Sequence, residues 1–376
     1  MYCSKSVKGN AAKTTLLLTI INRIVKRIII LSVGTATPKV IKAISEAFEI
    51  NQELLFKILY NAPAVFLDNA DEALAEKAST ILTELGLEVL IQNTDEKQPL
   101  STESLDIAVH INDPVKLNTV NKQLSEFLGC PESESLQLLL SDPCVVLGGV
   151  SMATAESLQK RIDAEVIASN PKMDLYTIEF TSESENERLK LINLIKNQEI
   201  TLPEGETRWV RNLSYDQMNQ FLTRYRSKHE VKIYNQSYSR FRILLENFDL
   251  TNTSQTNFLV NEIGMPTEVL AEIHANLPVL LDESVNYGTL EEKLALYTQV
   301  GLTCSEEQIP FGKYVISVSN ISDSGKAREI LSKFYNDVNL DKITDVWKAP
   351  LPLGGTLSRL LEKQLEYIGC EIEYEY

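Results

Sequence analysis

The chain has few of the residues from which most enzyme and metal sites are built. Its 376 residues include only 5 cysteines and 3 histidines, and His110, His229 and His274 lie far apart. The cysteines are odd in number and form no Cys-x-x-Cys pair, which favours reduced, mostly buried thiols over a disulfide framework. No G-x-G-x-x-G, G-x-S-x-G or H-E-x-x-H motif occurs. We therefore predict a non-enzymatic protein without metal or cofactor.

Positive charge is also scarce. Lys and Arg number 36 against 52 Asp and Glu, giving a net charge of −16, which argues against a general nucleic-acid binder. Residues 1–45 contain eight basic side chains and no acidic one, so the remainder carries −16 − 8 = −24. A charge of this sign favours partners with basic surfaces.

Residues 14–33 form an apolar stretch near the N-terminus, but Arg23, Lys26 and Arg27 interrupt it. A membrane-spanning helix needs about 20 mostly apolar residues, so three cations near its middle argue against one. A secretory signal would need a small-residue cleavage site, and no clean one precedes Lys26. We expect residues 1–26 to be a leader or a basic and apolar helix. A helix resting on an anionic membrane through residues 14–33 is the open alternative.

A proline that follows a helical pattern and precedes a short apolar run recurs at Pro63, Pro143, Pro278 and Pro350. Proline ends a helix because it lacks the amide donor and clashes with the preceding turn. The apolar run after it has the length of a strand. Each proline therefore predicts a junction between a helix and a strand in a repeated module.

A second signal marks the end of the last helix in each module. Gly86, Gly301 and Gly369 precede the last strand of three modules, and Ala164 takes this place in a fourth. Glycine supplies the left-handed turn that ends a helix at little cost. Because each module also opens with a strand, its predicted order is strand, helix, helix, strand, helix, strand.

The same order predicts five tandem modules. The third module is degenerate, because Gln198–Gly205 replaces its second helix and its proline. The predicted boundaries are 1–26 for the leader and, for the modules, 27–94, 105–170, 173–237, 239–310 and 312–376.

The pattern from Lys39 to Ile91 resembles the C-terminal domain of the bacterial ribosomal acidic stalk protein, which recruits translational GTPases. The similarity rests on Val40-Ile41-Lys42-Ala43, on Ala62-Pro63-Ala64 at the end of the second helix and on Gly86-Leu87-Glu88-Val89. Gly129 and Gly264 match the glycine between the family's first two helices. The resemblance implies an α+β fold of small two-layer sandwiches, each with helices on one face of a three-stranded antiparallel sheet.

The resemblance also implies a partner-binding patch on the first two helices. Val40, Ile41 and Lys42 in the first module and Lys122 in the second match it, and they are the predicted partner-binding residues. Asn257 and Glu329 replace the family's lysine in the fourth and fifth modules. These neutral and acidic replacements favour partners other than translation factors.

The sequence thus predicts a non-catalytic cytoplasmic scaffold or adaptor that binds other proteins, with its oligomeric state open. One alternative is a translation-associated factor that contacts a GTPase through the first module. It could also contact RNA through the third module, where Arg208–Arg211 and Arg224–His229 combine cations and aromatics. A further alternative is a membrane-tethered assembly component that uses residues 14–33.

Overall fold

The computed structural model of the chain describes residues 25–141, 143–180, 184–196, 209–225, 231–309, 312–335, 338 and 346–375. The predictions made for the N-terminal leader and for the cationic and aromatic segments of the third module fall largely outside these residues. Among the described residues, no helix combines the length and the apolar character needed to cross a membrane.

Helices and strands alternate along the chain in the predicted manner. The helices of the described residues are α1 (Pro38–Phe48), α2 (Gln52–Tyr60), α3 (Glu72–Glu84), α4 (Leu117–Leu128), α5 (Glu132–Leu139), α6 (Met152–Gln159), α7 (Glu185–Lys196), α8 (Tyr215–Tyr225), α9 (Thr253–Asn261), α10 (Leu270–Ala275), α11 (Tyr287–Val300), α12 (Ser324–Leu331) and α13 (Gly355–Glu366). The strands are β1 (Lys26–Ser32), β2 (Ala64–Ala70), β3 (Glu88–Asn93), β4 (Leu105–His110), β5 (Val145–Val150), β6 (Glu165–Ser169), β7 (Tyr176–Phe180), β8 (Trp209–Leu213), β9 (Val231–Asn235), β10 (Arg240–Asn247), β11 (Val279–Asn286), β12 (Thr303–Ile309), β13 (Lys313–Ser319), β14 (Val346–Lys348), β15 (Leu353–Gly354) and β16 (Glu371–Glu375).

The strands form several small sheets, and the fold is α+β as predicted. The three-stranded sheets have the orders β2-β1-β3, β5-β4-β6, β8-β7-β9 and β11-β10-β12, and β13 pairs with β14, β15 and β16. The first strand of each predicted module is therefore the central strand of its sheet. The pairings of β1, β7, β10 and β13 are antiparallel. That the sheets are five copies of one ancestral module stays a prediction.

The proline signal holds in three modules and needs a correction in the fifth. Pro63, Pro143 and Pro278 each lie just before a strand. At Pro350 the strand has already begun, because β14 precedes the proline and β15 follows it. Both segments pair with β13, so they form one interrupted edge. A proline can sit there because a strand with a free side tolerates the missing amide donor.

The described residues cluster into two compact units. Unit 1 holds the residues up to Leu105 together with Lys116–Leu136 and Leu147–Val166. Unit 2 holds Asp106–Val115, Gln137–Val146 and Ile167–Tyr376. The first module lies in unit 1, the third, fourth and fifth lie in unit 2, and the second is divided between them. The five predicted domain boundaries themselves stay a prediction.

In unit 1 the central strand of the first sheet is buried on both faces. Ile28, Ile29 and Ile30 are each 0% exposed, and successive side chains of a strand point to opposite faces. Helices α2, α3 and α6 all contact β1, and the hydroxyl groups of Ser32 and Ser157 lie 2.7 Å apart. The helix α6 of the second module therefore helps to bury the first sheet.

In unit 2 three modules each have an apolar core of their own. The buried residues at the centres of these cores are Ile178, Phe180, Val210 and Phe221 in the third module, Ile243, Leu245, Leu259 and Tyr297 in the fourth, and Ile316, Val318, Leu361 and Leu365 in the fifth. Separate cores of this kind are expected of repeated modules, since each sheet must bury one face against its own helices.

A buried arginine makes the stability of the first module depend on pH. Arg27 is 6% exposed, and its Nε and Nη2 donate to the Asp68 carboxylate at 3.1 and 3.2 Å. The hydrogen bonds from Arg27 hold the pKa of Asp68 below its usual value. The stabilisation from these hydrogen bonds is complete above the pKa of Asp68 in the unfolded chain, about 3.9. It is lost as the pH falls through the lower pKa of Asp68 in the folded protein. We expect the free energy of unfolding to fall more steeply between about pH 5 and pH 3 in the wild type than in Asp68→Asn. The free energy of unfolding of both proteins would be measured by urea titration at several pH values. If this ion pair contributes nothing, that free energy falls equally with pH in the two proteins.

Candidate interaction surface

The four predicted partner-binding residues do not form one exposed patch. Ile41 is 4% exposed and belongs to the core, so its side chain is unavailable to a partner. Val40 is half-buried, whereas Lys42 on α1 and Lys122 on α4 are exposed. Lys42 Nζ lies 3.9 Å from Glu46 Oε1 on the same helix, which reduces the positive charge at this position. A role for these residues in binding stays a prediction.

Part of the partner-binding helix face that the resemblance implies is covered by other residues of unit 1. Helices α1 and α4 contact each other, and Pro38 at the start of α1 packs on Gly129 at the end of α4. A Cβ atom added at Gly129 would lie 2.5 Å from Pro38 Cβ. The hydroxyl of Tyr60 in α2 donates to the Phe127 carbonyl at 3.4 Å. The first two helices of module 1 therefore contact a second module, which leaves less of their surface for a partner.

Arg161 fixes the turn after β1 in unit 1. Its Nη1 donates to the Ala36 carbonyl at 2.8 Å, and its Nη2 donates to the carbonyls of Val33 and Gly34. The guanidinium carbon lies 5.1 Å from the centre of the Phe127 ring, within range of a cation–π interaction. Burial lowers the pKa of Arg161 from its ordinary value, but the group stays charged at neutral pH. One side chain of the second module thus holds the turn after β1 in the first module.

The clearest uncovered charged surface lies on β16 in unit 2. Glu371, Glu373 and Glu375 are exposed, whereas the alternating Ile372 and Tyr374 are half-buried. The alternation puts the three carboxylates on one face of the sheet. Among the described residues β16 pairs only with β13, so it forms an edge of this sheet. We call the face carrying these three carboxylates the acidic face.

The rest of this sheet face is polar with one apolar residue. Opposite the carboxylates, β13 presents Ser317 and Ser319 in register with Glu373 and Glu371. Beyond β13, Val346 is 56% exposed, and Lys348 forms an ion pair with Glu375. Three carboxylates against one lysine leave the acidic face with an excess of negative charge.

The acidic face carries groups that can bind a basic partner. Among the described residues, no group of His, Cys, Asp and Glu side chains is arranged to hold a metal ion. Carboxylates spaced along one strand can instead accept hydrogen bonds from the Lys and Arg side chains of an extended or helical partner. Exposed charges on an edge strand also prevent pairing with another apolar edge.

In comparisons with known proteins, no family model, no curated protein and no solved structure matches this chain.

Proposed function

We propose that the chain is a non-catalytic scaffold or adaptor that binds a protein partner with a basic surface. The observation that carries this proposal is the acidic face, where Glu371, Glu373 and Glu375 stand exposed along one strand. Its charge has the same sign as the whole chain, which carries −16. Charge of one sign on an exposed face speeds association with a partner of opposite sign and rejects partners of the same sign.

The packing within unit 1 supports the scaffold part of the proposal. The Arg161 contacts and the cover that α6 gives to β1 join parts of two predicted modules. Modules joined by buried contacts keep a fixed geometry and can therefore present separate surfaces at constant spacing, as repeat proteins do.

Reversing charge on the acidic face tests the proposal directly. We expect Glu371→Lys together with Glu373→Lys to weaken binding of the partner at least about tenfold, a change of about 1.4 kcal/mol. The partner would first be captured from lysate and identified by mass spectrometry, and its binding then measured with both proteins purified. Calorimetry at several salt concentrations should show that the wild-type affinity falls as salt screens the charges.

A matched pair of reversals controls for net charge. Glu76→Lys and Glu84→Lys change two exposed acids on α3 of the first module, so they alter the total charge equally. We expect this control to keep most of the affinity. If both pairs weaken binding to the same extent, the total charge and not the acidic face determines the interaction, and the proposal is wrong.

Factor recruitment through the first module remains the second candidate, because Lys42 and Lys122 are both exposed in unit 1. Charge reversal separates the two candidates. Under the scaffold proposal, Lys42→Glu leaves the partner's affinity unchanged or higher. If purified elongation factor binds the wild type and Lys42→Glu abolishes that binding, the first module is the binding site and the acidic face is not.

A further inference from the structure

Unit 2 contains a cavity of about 160 Å³ that the proposed scaffold function does not use. All the residues that line it belong to unit 2. Its apolar wall includes Ala108, Ile111, Ile167 and Ile309, and the tyrosines Tyr238 and Tyr314 add ring surface. A dry cavity of about 150 Å³ lined by apolar side chains accommodates a benzene ring, so this cavity has room for a small organic molecule.

Three arginines line this cavity, and they are held differently. Arg242 on β10 forms an ion pair with Glu307, with 3.8 Å between Nη1 and Oε2. Arg240 on β10 is 8% exposed and anchored, because its Nε donates to Ser284 Oγ at 3.0 Å and its Nη2 donates to the Ser284 carbonyl at 3.2 Å. Arg359 on α13 is half-buried, and it makes no hydrogen bond or ion pair within the part of the chain that the structure describes. A guanidinium has five N–H donors, so Arg359 has its full donor capacity available to a ligand.

The charges around Arg359 favour an added anion. Burial lowers the pKa of Arg359, and the nearby charge of Arg240 lowers it further. Glu283 and Glu362 also line the cavity. Glu283 forms no ion pair among the described residues, and the Glu362 carboxylate accepts a hydrogen bond from the Tyr374 hydroxyl at 2.6 Å. Neither carboxylate forms an ion pair with Arg359 among the described residues, although the charge of Glu283 partly offsets the repulsion from Arg240. Three arginines against two carboxylates leave one positive charge that an anion can neutralise.

A buried histidine also lines the cavity. His110 on β4 has a buried Nε2 atom without a hydrogen-bond partner in the described structure. Burial, with the charges of Arg240 and Arg359, lowers the pKa of His110 to about 2. The imidazole is therefore neutral at physiological pH and adds no positive charge to that of the three arginines. A neutral imidazole can still donate or accept one hydrogen bond, so a ligand with a polar end can satisfy it.

We propose that this cavity binds a small monocarboxylate with an apolar or aromatic body, whose carboxylate is held by Arg359 beside Arg240 and whose body packs against the isoleucine and tyrosine side chains. Guanidinium and carboxylate form two parallel hydrogen bonds, a geometry that a lysine or a neutral donor cannot reproduce. The apolar wall excludes strongly hydrated anions, because they would lose water without gaining equivalent contacts. This site is independent of the acidic face.

Calorimetry of the full chain with sodium benzoate and sodium isobutyrate tests the proposal. We expect saturable binding of at least one acid, whereas benzyl alcohol, inorganic phosphate and matched sodium chloride show none. Arg359→Met should weaken the binding at least about tenfold. Arg328→Met, which changes an exposed arginine on α12 of the same module, should leave it unchanged.

The stability of the unliganded variant distinguishes a binding role from a structural one. Arg359→Met removes a cation without a partner beside Arg240, so we expect the melting temperature of the free protein to stay the same or rise. The thermal shift produced by benzoate in the wild type should disappear in this variant. A lower melting temperature of free Arg359→Met, binding of phosphate in place of the acids, or failure of both acids to bind would each overturn the proposal.

Discussion

Replacing Arg161 with alanine is expected to lower the free energy of unfolding of unit 1 by about 2–4 kcal/mol. Hydrogen bonds from a charged donor each contribute about 1.5–3 kcal/mol when they are buried, and less when they are partly solvated. The variant would leave the carbonyls of Val33, Gly34 and Ala36 without this donor and would remove the cation over the Phe127 ring. Hydrogen exchange of the amides in β1 and α4 measures the loss where it should occur.

Two further variants show whether the geometry of the guanidinium matters. Lys160→Ala removes the exposed cation next to Arg161 in sequence and should change stability by no more than about 0.5 kcal/mol. Arg161→Lys keeps the charge but cannot reach several carbonyls at once, so we expect an intermediate loss. Equal exchange rates in Arg161→Ala and the wild type would mean that the Arg161 contacts add nothing to the stability of unit 1.

Gly86→Ala is expected to have the second large effect, about 2–4 kcal/mol of lost stability. Gly86 ends α3 with φ of +92°, a backbone conformation that costs about 1–2 kcal/mol for a residue with a side chain. Its added Cβ would also lie 2.7 Å from Thr35 Oγ1 and 2.9 Å from the Ala36 amide nitrogen. The turn that Arg161 holds would therefore have to move. Urea unfolding monitored by circular dichroism measures this change.

Gly369→Ala provides a matched control for Gly86→Ala. Gly369 occupies the same position in the fifth module, with φ of +83°, and a Cβ added there meets nothing within 4 Å. The control should therefore show the backbone strain alone, about 1–2 kcal/mol. If the two glycine variants lose equal stability, the close approach of Gly86 to the Thr35–Ala36 turn has no energetic consequence.

Much of the fold could be predicted from local sequence signals. The predicted order of strand, helix, helix, strand, helix, strand appears in the first module as β1, α1, α2, β2, α3 and β3. These signals work because helix periodicity, proline and glycine act within a few residues. The strand around Pro350 was predicted to begin too late, because pairing of Val346–Lys348 with β13 is a tertiary contact that no local pattern indicates.

The candidate sites were less predictable, for a physical reason. The acidic face depends on alternation within one strand, which is a local pattern. Ile41 was predicted to bind a partner, but its burial depends on packing around α1 that a resemblance to another family does not define. Arg161, Arg240 and Arg359 carried no sequence signal, because their roles depend on groups far away in the chain, such as Ala36, which is 125 positions from Arg161.

Because β1 is buried on both faces, the first module depends on the second, and this limits which truncations of the chain can fold. A fragment that ended after β3 would lose α6 and expose to water the β1 side chains on the face that α6 covers. It would also leave Ser32 without the Ser157 hydroxyl. Exposed β-branched strands of this kind promote aggregation. We therefore expect deletions and duplications of the first module to be tolerated only when they include the second module as well.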